Sequence, residues 1–373
     1  MIDPVLHALS ISFAMTWEIL WALILGFTLS AVVQAVVSKS QMSRLLPDDS
    51  PRTLAIASLL GAASSSCSYA AVALARSLFQ KGADLTAAMA FEIASTNLVI
   101  ELGIILAILM GWQFTAAEFV GGPIMIVVLA LLFRTFLTRR RVDAARAQAE
   151  KGLRGYMEGH AGMDMSVQEG TLVQKVLSAR GFTAISHLFI AEWAAVLRDV
   201  VLGLLIAGVL AAWVPESFWR GFFLSDRPQL AVIWGPIVGP LVSVVSFVCS
   251  IGNVPLAAVL WNNGISFGGV ISFIFADLVI LPILSIKRRY YGPWMTGFLF
   301  VTFYAAMSIA GLLVELVFGA VGLIPETRNA LVAEPSLSLN YTTVLNVVFL
   351  LVAAALILRA WRTGGFSMLR MMA

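Results

Sequence analysis

The sequence predicts an all-α integral membrane fold with an inverted repeat and two Cys-bearing re-entrant or broken-helix hairpins. The composition is the first observation: 60% of the 373 residues are hydrophobic and 12% are charged, whereas ordinary soluble domains carry about 25% charged residues. Several segments hold the roughly 20 apolar residues needed to cross a bilayer. The third observation is a Cys-Ser step that occurs twice.

The two Cys-Ser steps, Cys67-Ser68 and Cys249-Ser250, lie in apolar segments with the same internal spacing. These are the only two cysteines of the chain. The shift along the chain that takes Cys67 to Cys249, called the repeat offset below, also superposes Gly82 on Gly264 and Phe91 on Phe273. Many membrane transporters build a substrate site between two such related halves. The duplication therefore predicts an inverted-repeat transporter.

Hydropathy and basic residues together predict the membrane topology. Seven spanning helices are expected, near residues 11–37, 85–112, 115–138, 190–214, 266–286, 294–323 and 342–361. If segment 53–80 also crossed fully, the basic cluster that begins at Arg139 would lie outside, against the enrichment of Lys and Arg in cytoplasmic loops. A hairpin at 53–80, with a second at 229–262 entering from the opposite face, keeps the basic clusters cytoplasmic. Broken spanning helices are the alternative.

This topology divides the chain into four predicted parts. Residues 1–138 form the first membrane repeat, and 139–187 a cytoplasmic loop. Residues 188–324 form the second, inverted repeat, and 325–373 an external loop, an appended helix and a cytoplasmic tail. The net charge of +3 reflects basic loops that face the cytoplasm and anionic lipid, so the bilayer is the expected partner and nucleic acid is not. The oligomeric state stays open.

Several motifs resemble the bacterial predicted-permease family that includes the methylarsenite (organoarsenical) efflux permeases. The resemblance lies in the doubled Cys-Ser step and in four further segments, Lys81-Gly82, Asn263-Gly264, 273–277 and 287–292. It implies a multi-pass permease of the bacterial plasma (inner) membrane, with thiol-reactive or metalloid cargo in the characterised members. Those members often carry a Cys-Ser-Cys triplet in the first repeat, whereas Tyr69 follows Cys67-Ser68 here.

The paired hairpins supply the predicted substrate-binding residues. They are Cys67, Ser68, Cys249, Ser250, Asn253 and Asn97. Two thiolates can bind a soft centre such as trivalent arsenic, Cu(I) or Ag(I), and the two cysteines are the candidate ligands if a metal binds. The alternative is that both cysteines are small buried residues chosen for packing. The loop residues Met157, His160, Met163 and Met165 have no repeated ligand spacing and favour a polar linker.

Acidic residues inside apolar segments are the candidates for proton coupling. Glu92 and Asp277 follow the two hairpins, and ionisable groups in such segments usually face a cavity or a partner. A buried carboxyl group can exchange protons because desolvation disfavours its charged form. The alternative is a salt bridge, with Arg76 as a candidate partner, or a hydrogen bond to hairpin backbone. For Glu18, Glu118 and Glu315, which are isolated or near helix ends, a structural role is favoured.

The predicted function is secondary transport, with efflux of a thiophilic metalloid or soft-metal species. The alternative is a channel, or a permease for another small solute, in which the cysteines are only structural. An enzyme is not expected because no histidine is placed inside the membrane to activate the serines of 64–68. No cofactor is expected.

Overall fold

The computed structural model describes residues 2–36, 45–65, 68–150, 172–213, 215–224, 226–246, 250–331 and 341–372. Within these ranges the chain forms helices joined by short connections, and no strand occurs. The helices up to residue 150 are, in chain order, α1 (Ile2–Val36), α2 (Pro51–Ser64), α3 (Ser68–Gln80), α4 (Leu85–Asn97), α5 (Ile100–Leu109), α6 (Trp112–Phe136) and α7 (Arg139–Glu150).

The remaining described helices belong to the second part of the chain. They are α8 (Leu172–Leu177), α9 (Ala179–Trp213), α10 (Glu216–Phe222), α11 (Pro228–Ser246), α12 (Ser250–Asn262), α13 (Phe267–Phe275), α14 (Leu281–Tyr291), α15 (Pro293–Ala320), α16 (Tyr341–Arg362) and α17 (Gly365–Met372). A 3₁₀ turn, Ala276–Val279, connects α13 to α14.

Helix boundaries recur at the repeat offset found in the sequence. When α3 is shifted by that offset, its last residue coincides with the last residue of α12, and the start of α4 coincides with the start of α13. The turns before α4 and α13 correspond as well, since Gly82 and Gly264 have φ values of +103° and +104°, a conformation that glycine adopts without steric cost. Asp84 and Ser266 then cap α4 and α13 by accepting backbone N–H groups.

Two segments predicted as continuous spans are bent pairs of helices. The axes of α4 and α5 differ by 41°, and those of the 267–279 segment and α14 by 45°. In the first pair, the Ser95 hydroxyl donates to the Glu92 carbonyl at 3.0 Å; such side-chain bonds to the preceding turn favour helix bending. In the second, α14 starts afresh with a proline in its first turn, where proline is tolerated because its missing N–H would be unpaired anyway.

The described helices include several that can cross a membrane. By length and apolar composition α6, α15 and Thr343–Arg362 qualify, and each bent pair could form one further span. These five coincide with five of the seven predicted spans. The other two predicted spans, 11–37 and 190–214, fall on α1 and α9, each of 35 residues. The four-part division of the chain stays a prediction.

Helix α7 forms the first part of the predicted cytoplasmic loop and packs on α3 and α14. Its Ala145 and Ala149 are 1% and 0% exposed. Arg146 donates hydrogen bonds to the carbonyl groups of Phe79 and Ala83, the second at 3.0 Å. Its guanidinium lies 4.0 Å from the centroid of the Phe79 ring. Arg146 thus closes the turn between α3 and α4.

The corresponding turn between α12 and α13 is closed in the same way. Arg328 donates to the carbonyl groups of Trp261 and Ile265, both at 2.7 Å, and lies 4.2 Å from the centroid of the Trp261 ring. Each of these three residues is related to its counterpart in the first turn by the repeat offset. The repeated pattern therefore includes Arg146 and Arg328, which lie after the predicted ends of the two repeats at residues 138 and 324.

Candidate functional site

The two cysteines lie outside the described residues. The described residues leave out 66–67 and 247–249 and continue from Ser68 in α3 and from Ser250 in α12. Both serines are buried, at 0% and 4% exposure. The assignment of Cys67 and Cys249 as ligands therefore stays a prediction, while their serine neighbours can be placed.

A hydrogen bond joins the first Cys-bearing segment to the break in the second half. The Ser68 hydroxyl donates to Oδ2 of Asp277 at 2.6 Å, and both side chains are fully buried. Asp277 lies in the 3₁₀ turn between α13 and α14. Two predicted site residues that are far apart in sequence are thus in direct contact where the helix path is interrupted.

Glu92 forms an ion pair that the sequence did not predict. Its carboxylate lies 2.7 Å from Nζ of Lys287 on α14, with side-chain exposures of 0% and 1%. The Lys287 ammonium also lies 4.2 Å from the centroid of the Phe303 ring. Arg76, the candidate partner considered for Glu92, instead donates to the Ala149 carbonyl at 2.7 Å. The ion pair joins the two halves of the chain. It agrees with the alternative of a salt bridge for Glu92, but the partner is Lys287 and not Arg76.

The position of Lys287 corrects the interpretation of the basic run 287–289 as a surface cluster. Hydropathy and orientation rules place Lys287, Arg288 and Arg289 together at the cytoplasmic surface. The structure separates them, because Lys287 is buried while Arg288 and Arg289 are exposed. One of the three cations therefore belongs to the protein interior, where a buried charge is stabilised by an opposite charge nearby.

The two predicted asparagines are buried with their carbonyl oxygens unused. Asn97 donates to the Thr96 hydroxyl at 3.2 Å, and Asn253 donates to the Ser243 hydroxyl at 3.1 Å. Neither Oδ1 atom has a hydrogen-bond partner among the described residues. Buried polar atoms are normally paired, so these oxygens are available to a polar ligand. The structure brings Asn97 to the end of α4, at the bend.

Glu118 on α6, for which the sequence favoured a structural role, is a further candidate residue. Its side chain is fully buried, and within the described part of the chain neither carboxylate oxygen has a hydrogen-bond partner. Two other acids of the membrane helices differ in this respect. Glu101 accepts the Ser65 hydroxyl, and Glu315 accepts the backbone N–H of Gly268. A signal for Glu118 exists in the small residues one turn later, Gly121-Gly122, which let other helices approach closely.

The charged groups form one electrostatic cluster. Asp277 lies within electrostatic range of both members of the Glu92–Lys287 pair, and Glu118 lies within electrostatic range of Asp277. Because all four side chains are buried, solvent screens these interactions weakly. The cluster is closed to solvent in this conformation. A cavity of about 400 Å³ lies elsewhere, lined by residues that include His187 and Arg359.

Comparison with known proteins identifies the family. Residues 5–316 match the profile of a family described as "Predicted permease". The chain belongs to this permease family. A relative from Mycobacterium tuberculosis (strain ATCC 25618 / H37Rv), named "Putative permease Rv2963", is 68% identical over 338 residues, which cover 90% of this chain and 83% of the relative. No solved structure matches the chain.

Membership of the permease family agrees with the resemblance found in the sequence motifs. Together with the long apolar helices, it makes the chain a multi-pass membrane protein. It also indicates a transporter rather than an enzyme.

Proposed function

We propose that this permease is a secondary transporter in which two inverted halves enclose a substrate path at the helix breaks. The contact between Ser68 and Asp277 carries the proposal. It links the start of the helix after Cys67 to the break in the opposite half, at full burial. Interrupted helices at membrane depth survive where they line a cavity or are buried in protein, and transporters use such breaks to bind substrates.

The recurrence of helix boundaries supports the inverted repeat. Helices α3 and α12 end at equivalent residues, and α4 and α13 begin at equivalent residues, after the shift by the repeat offset. Contacts between the halves are also reciprocal: α3 packs on α14, and the equivalent pair, α12 and α5, is in contact too. Such reciprocity is expected of two halves related by a pseudo-two-fold axis in the membrane plane. Segments 53–80 and 229–262 would then be the two opposed hairpins.

The proposed cargo is a thiophilic metalloid or soft-metal species that is exported across the bacterial plasma membrane. Cys67 and Cys249 directly precede the buried residues Ser68 and Ser250. Thiolates prefer soft centres. The free carbonyl oxygens of Asn97 and Asn253 add polar groups that would contact hydroxyl or water ligands of such a centre.

Proton coupling is proposed for Asp277 and Glu92. Asp277 has one carboxylate oxygen bonded to Ser68 and the other without a partner in the described structure, so that oxygen can take a proton with little rearrangement. Glu92 is held by Lys287, and its protonation would break the ion pair between the halves. Asp277 is therefore better placed than Glu92 to exchange a proton during transport.

Flux into proteoliposomes under an imposed pH gradient tests the proposal. Purified protein is reconstituted, and accumulation of methylarsenite, Ag(I) and Cu(I) is measured separately, with a protonophore as the control. Accumulation above the external concentration that collapses with the protonophore is expected for one of these probes. Flux that only dissipates a gradient would establish a channel, and no flux of any probe would overturn the proposed cargo.

A further inference from the structure

The cavity of about 400 Å³ lies away from the helix breaks, where the start of α9 meets the end of α16. It is called the basic cavity below. It is lined by Ala179, Arg180, Thr183, Ala184, His187 and Arg359. Two arginines and a histidine are thus among its lining residues, and none of the lining residues that the structure describes is acidic. The proposed substrate path does not include this cavity.

Arg359 on α16 is held in place on one side of the basic cavity. Its Nε and Nη2 atoms donate to the Thr183 hydroxyl at 3.1 and 2.9 Å, and Nη2 also donates to the Ala179 carbonyl at 3.3 Å. Its Nη1 atom has no acceptor among the described residues. Because a guanidinium carries five N–H donors in a rigid plane, this fixed side chain keeps donors available for a ligand.

The other two polar groups of the cavity increase its positive charge or fix its shape. Arg180 is exposed and forms no ion pair within the described part of the chain. His187 is tied to the end of α16, since its Nε2 atom lies 2.7 Å from the Thr363 hydroxyl. That hydroxyl donates to the Arg359 carbonyl at 2.8 Å, so Nε2 is the donor in its contact with Thr363. The cavity therefore has two guanidinium charges that no lining residue balances.

The basic cavity lies at a predicted membrane boundary. It is situated where the predicted span 190–214 starts and the predicted span 342–361 ends, and the predicted topology puts both of these ends on the cytoplasmic side. Exposed aromatic residues occur beside the lining residues in the chain, with Phe182 and Trp361 40% and 70% exposed. Aromatic side chains of this kind are enriched at the level of the lipid headgroups. A ligand of this cavity would therefore meet both basic and apolar groups.

We propose that the basic cavity binds the phosphate group of an anionic phospholipid of the cytoplasmic leaflet. Guanidinium groups suit phosphate because they can donate two parallel hydrogen bonds to its oxygens. Basic pockets between membrane helices on the cytoplasmic side bind lipid headgroups in this way. A zwitterionic lipid would bring its own cation next to Arg180 and Arg359, so an anionic headgroup is preferred. A soluble phosphate offers the same oxygens, but it has no acyl chains to cover the exposed aromatic residues.

Native mass spectrometry of the full-length protein in detergent tests this site. Phosphatidylglycerol or phosphatidylcholine is added in steps, and the fraction of protein that retains a lipid is measured. We expect tighter retention of phosphatidylglycerol, weakened about fivefold in Arg180→Gln, the factor expected for one basic residue at an anionic surface. Arg359→Gln should weaken it at least as much. Arg362→Gln is the matched control, because Arg362 is exposed at the same end of α16 but does not line the cavity.

The outcomes separate this site from general attraction to a basic surface. Equal weakening in Arg180→Gln and Arg362→Gln, or equal retention of the two lipids by the wild type, would overturn the proposal. Inorganic phosphate is added as a competitor, and displacement of the lipid at a similar concentration would assign the cavity to a soluble phosphate instead. If Arg359→Gln fails to fold through loss of its bonds to Thr183, the result with Arg180→Gln decides, since that side chain is exposed.

Discussion

Arg146 and Arg328 occupy equivalent positions in the two halves, and each arginine closes the turn that follows one Cys-bearing segment. Each guanidinium bonds two backbone carbonyl groups and lies over an aromatic ring, Phe79 in the first case and Trp261 in the second. The last carbonyl groups of a helix have no partner within the helix. The two arginines therefore stabilise the equivalent turn in each half, between α3 and α4 and between α12 and α13.

Removal of either arginine should destabilise its half by a similar amount. Arg146→Met and Arg328→Met each lose two hydrogen bonds from a charged donor, and such bonds contribute about 1.5–3 kcal/mol each. Replacement by Lys should rescue only part of this loss, because an ammonium cannot span two carbonyl groups as a planar guanidinium does. The measurement is the thermal unfolding midpoint in detergent or nanodiscs.

Arg139→Met is the matched control for these variants, since Arg139 is exposed on the same helix as Arg146. Its effect should stay within about 0.5 kcal/mol. If Arg146→Met behaved like this control while Arg328→Met unfolded, the two joints would not be equivalent.

The ion pair between Glu92 and Lys287 should be strongly coupled. Loss of one partner leaves an uncompensated buried charge, which costs about 3–5 kcal/mol. Glu92→Gln and Lys287→Met should each lower stability by such an amount, and the double variant should lose much less than the sum. The unfolding midpoints of the four proteins give the coupling energy.

The exposed pair Arg134–Asp49 is a control within the same protein. Its N–O distance is 2.6 Å, close to that of the buried pair, but its side chains are 45% and 37% exposed. Exposed ion pairs contribute about 0–1 kcal/mol, so a double-mutant cycle on Arg134 and Asp49 should give a small coupling energy. Equal coupling energies in the two cycles would contradict a special role for burial.

The helical class and the positions of the repeated turns could be predicted from the sequence. Apolar length identifies membrane helices, and the offset from Cys67 to Cys249 also locates the left-handed turns at Gly82 and Gly264. The same offset relates Arg146 to Arg328, although both arginines lie outside the apolar segments. These features are local, so spacing along the chain is sufficient to find them.

The partners of the charged residues could not be predicted in this way. Lys287 lies in a run of three basic residues, and only its contact with Glu92, from the other half of the chain, distinguishes it from its neighbours. Glu118 has no recognisable motif around its charge. Its complete burial is a property of tertiary packing.

The opposed hairpins predict opposite accessibility of two equivalent turns. Single cysteines replace Lys81 and Asn263 in a protein without other cysteines, and an impermeant thiol reagent is applied to intact cells. The reagent should label the Asn263 site and reach the Lys81 site only in inside-out vesicles, as positive-inside orientation requires. External labelling of the Lys81 site would contradict the hairpin topology.

The Ser68 hydroxyl should matter for transport through Asp277. Ser68→Ala removes a hydrogen bond to a buried carboxylate and should cost about 1.5–3 kcal/mol, while the pH-driven accumulation of the cargo falls. Ser58→Ala is the control, because its hydroxyl donates only to the Leu54 carbonyl of its own helix. Equal accumulation by the two variants would show that the Ser68–Asp277 contact has no part in coupling.

The paired cysteines give the sharpest test of the cargo. If Cys67 and Cys249 share one soft ligand, their sulfur atoms must come within about 4–5 Å of each other in the bound state, given metal–sulfur bonds of roughly 2.3 Å. Either Cys→Ser variant keeps the size of the side chain and removes the soft donor, so cellular resistance to methylarsenite or Ag(I) should fall in both single variants. Met89→Leu, which removes a buried sulfur elsewhere in the first half, should leave resistance unchanged. Full resistance in the double Ser variant would show that the cysteines serve packing alone, because neither thiol would then be needed to bind the cargo.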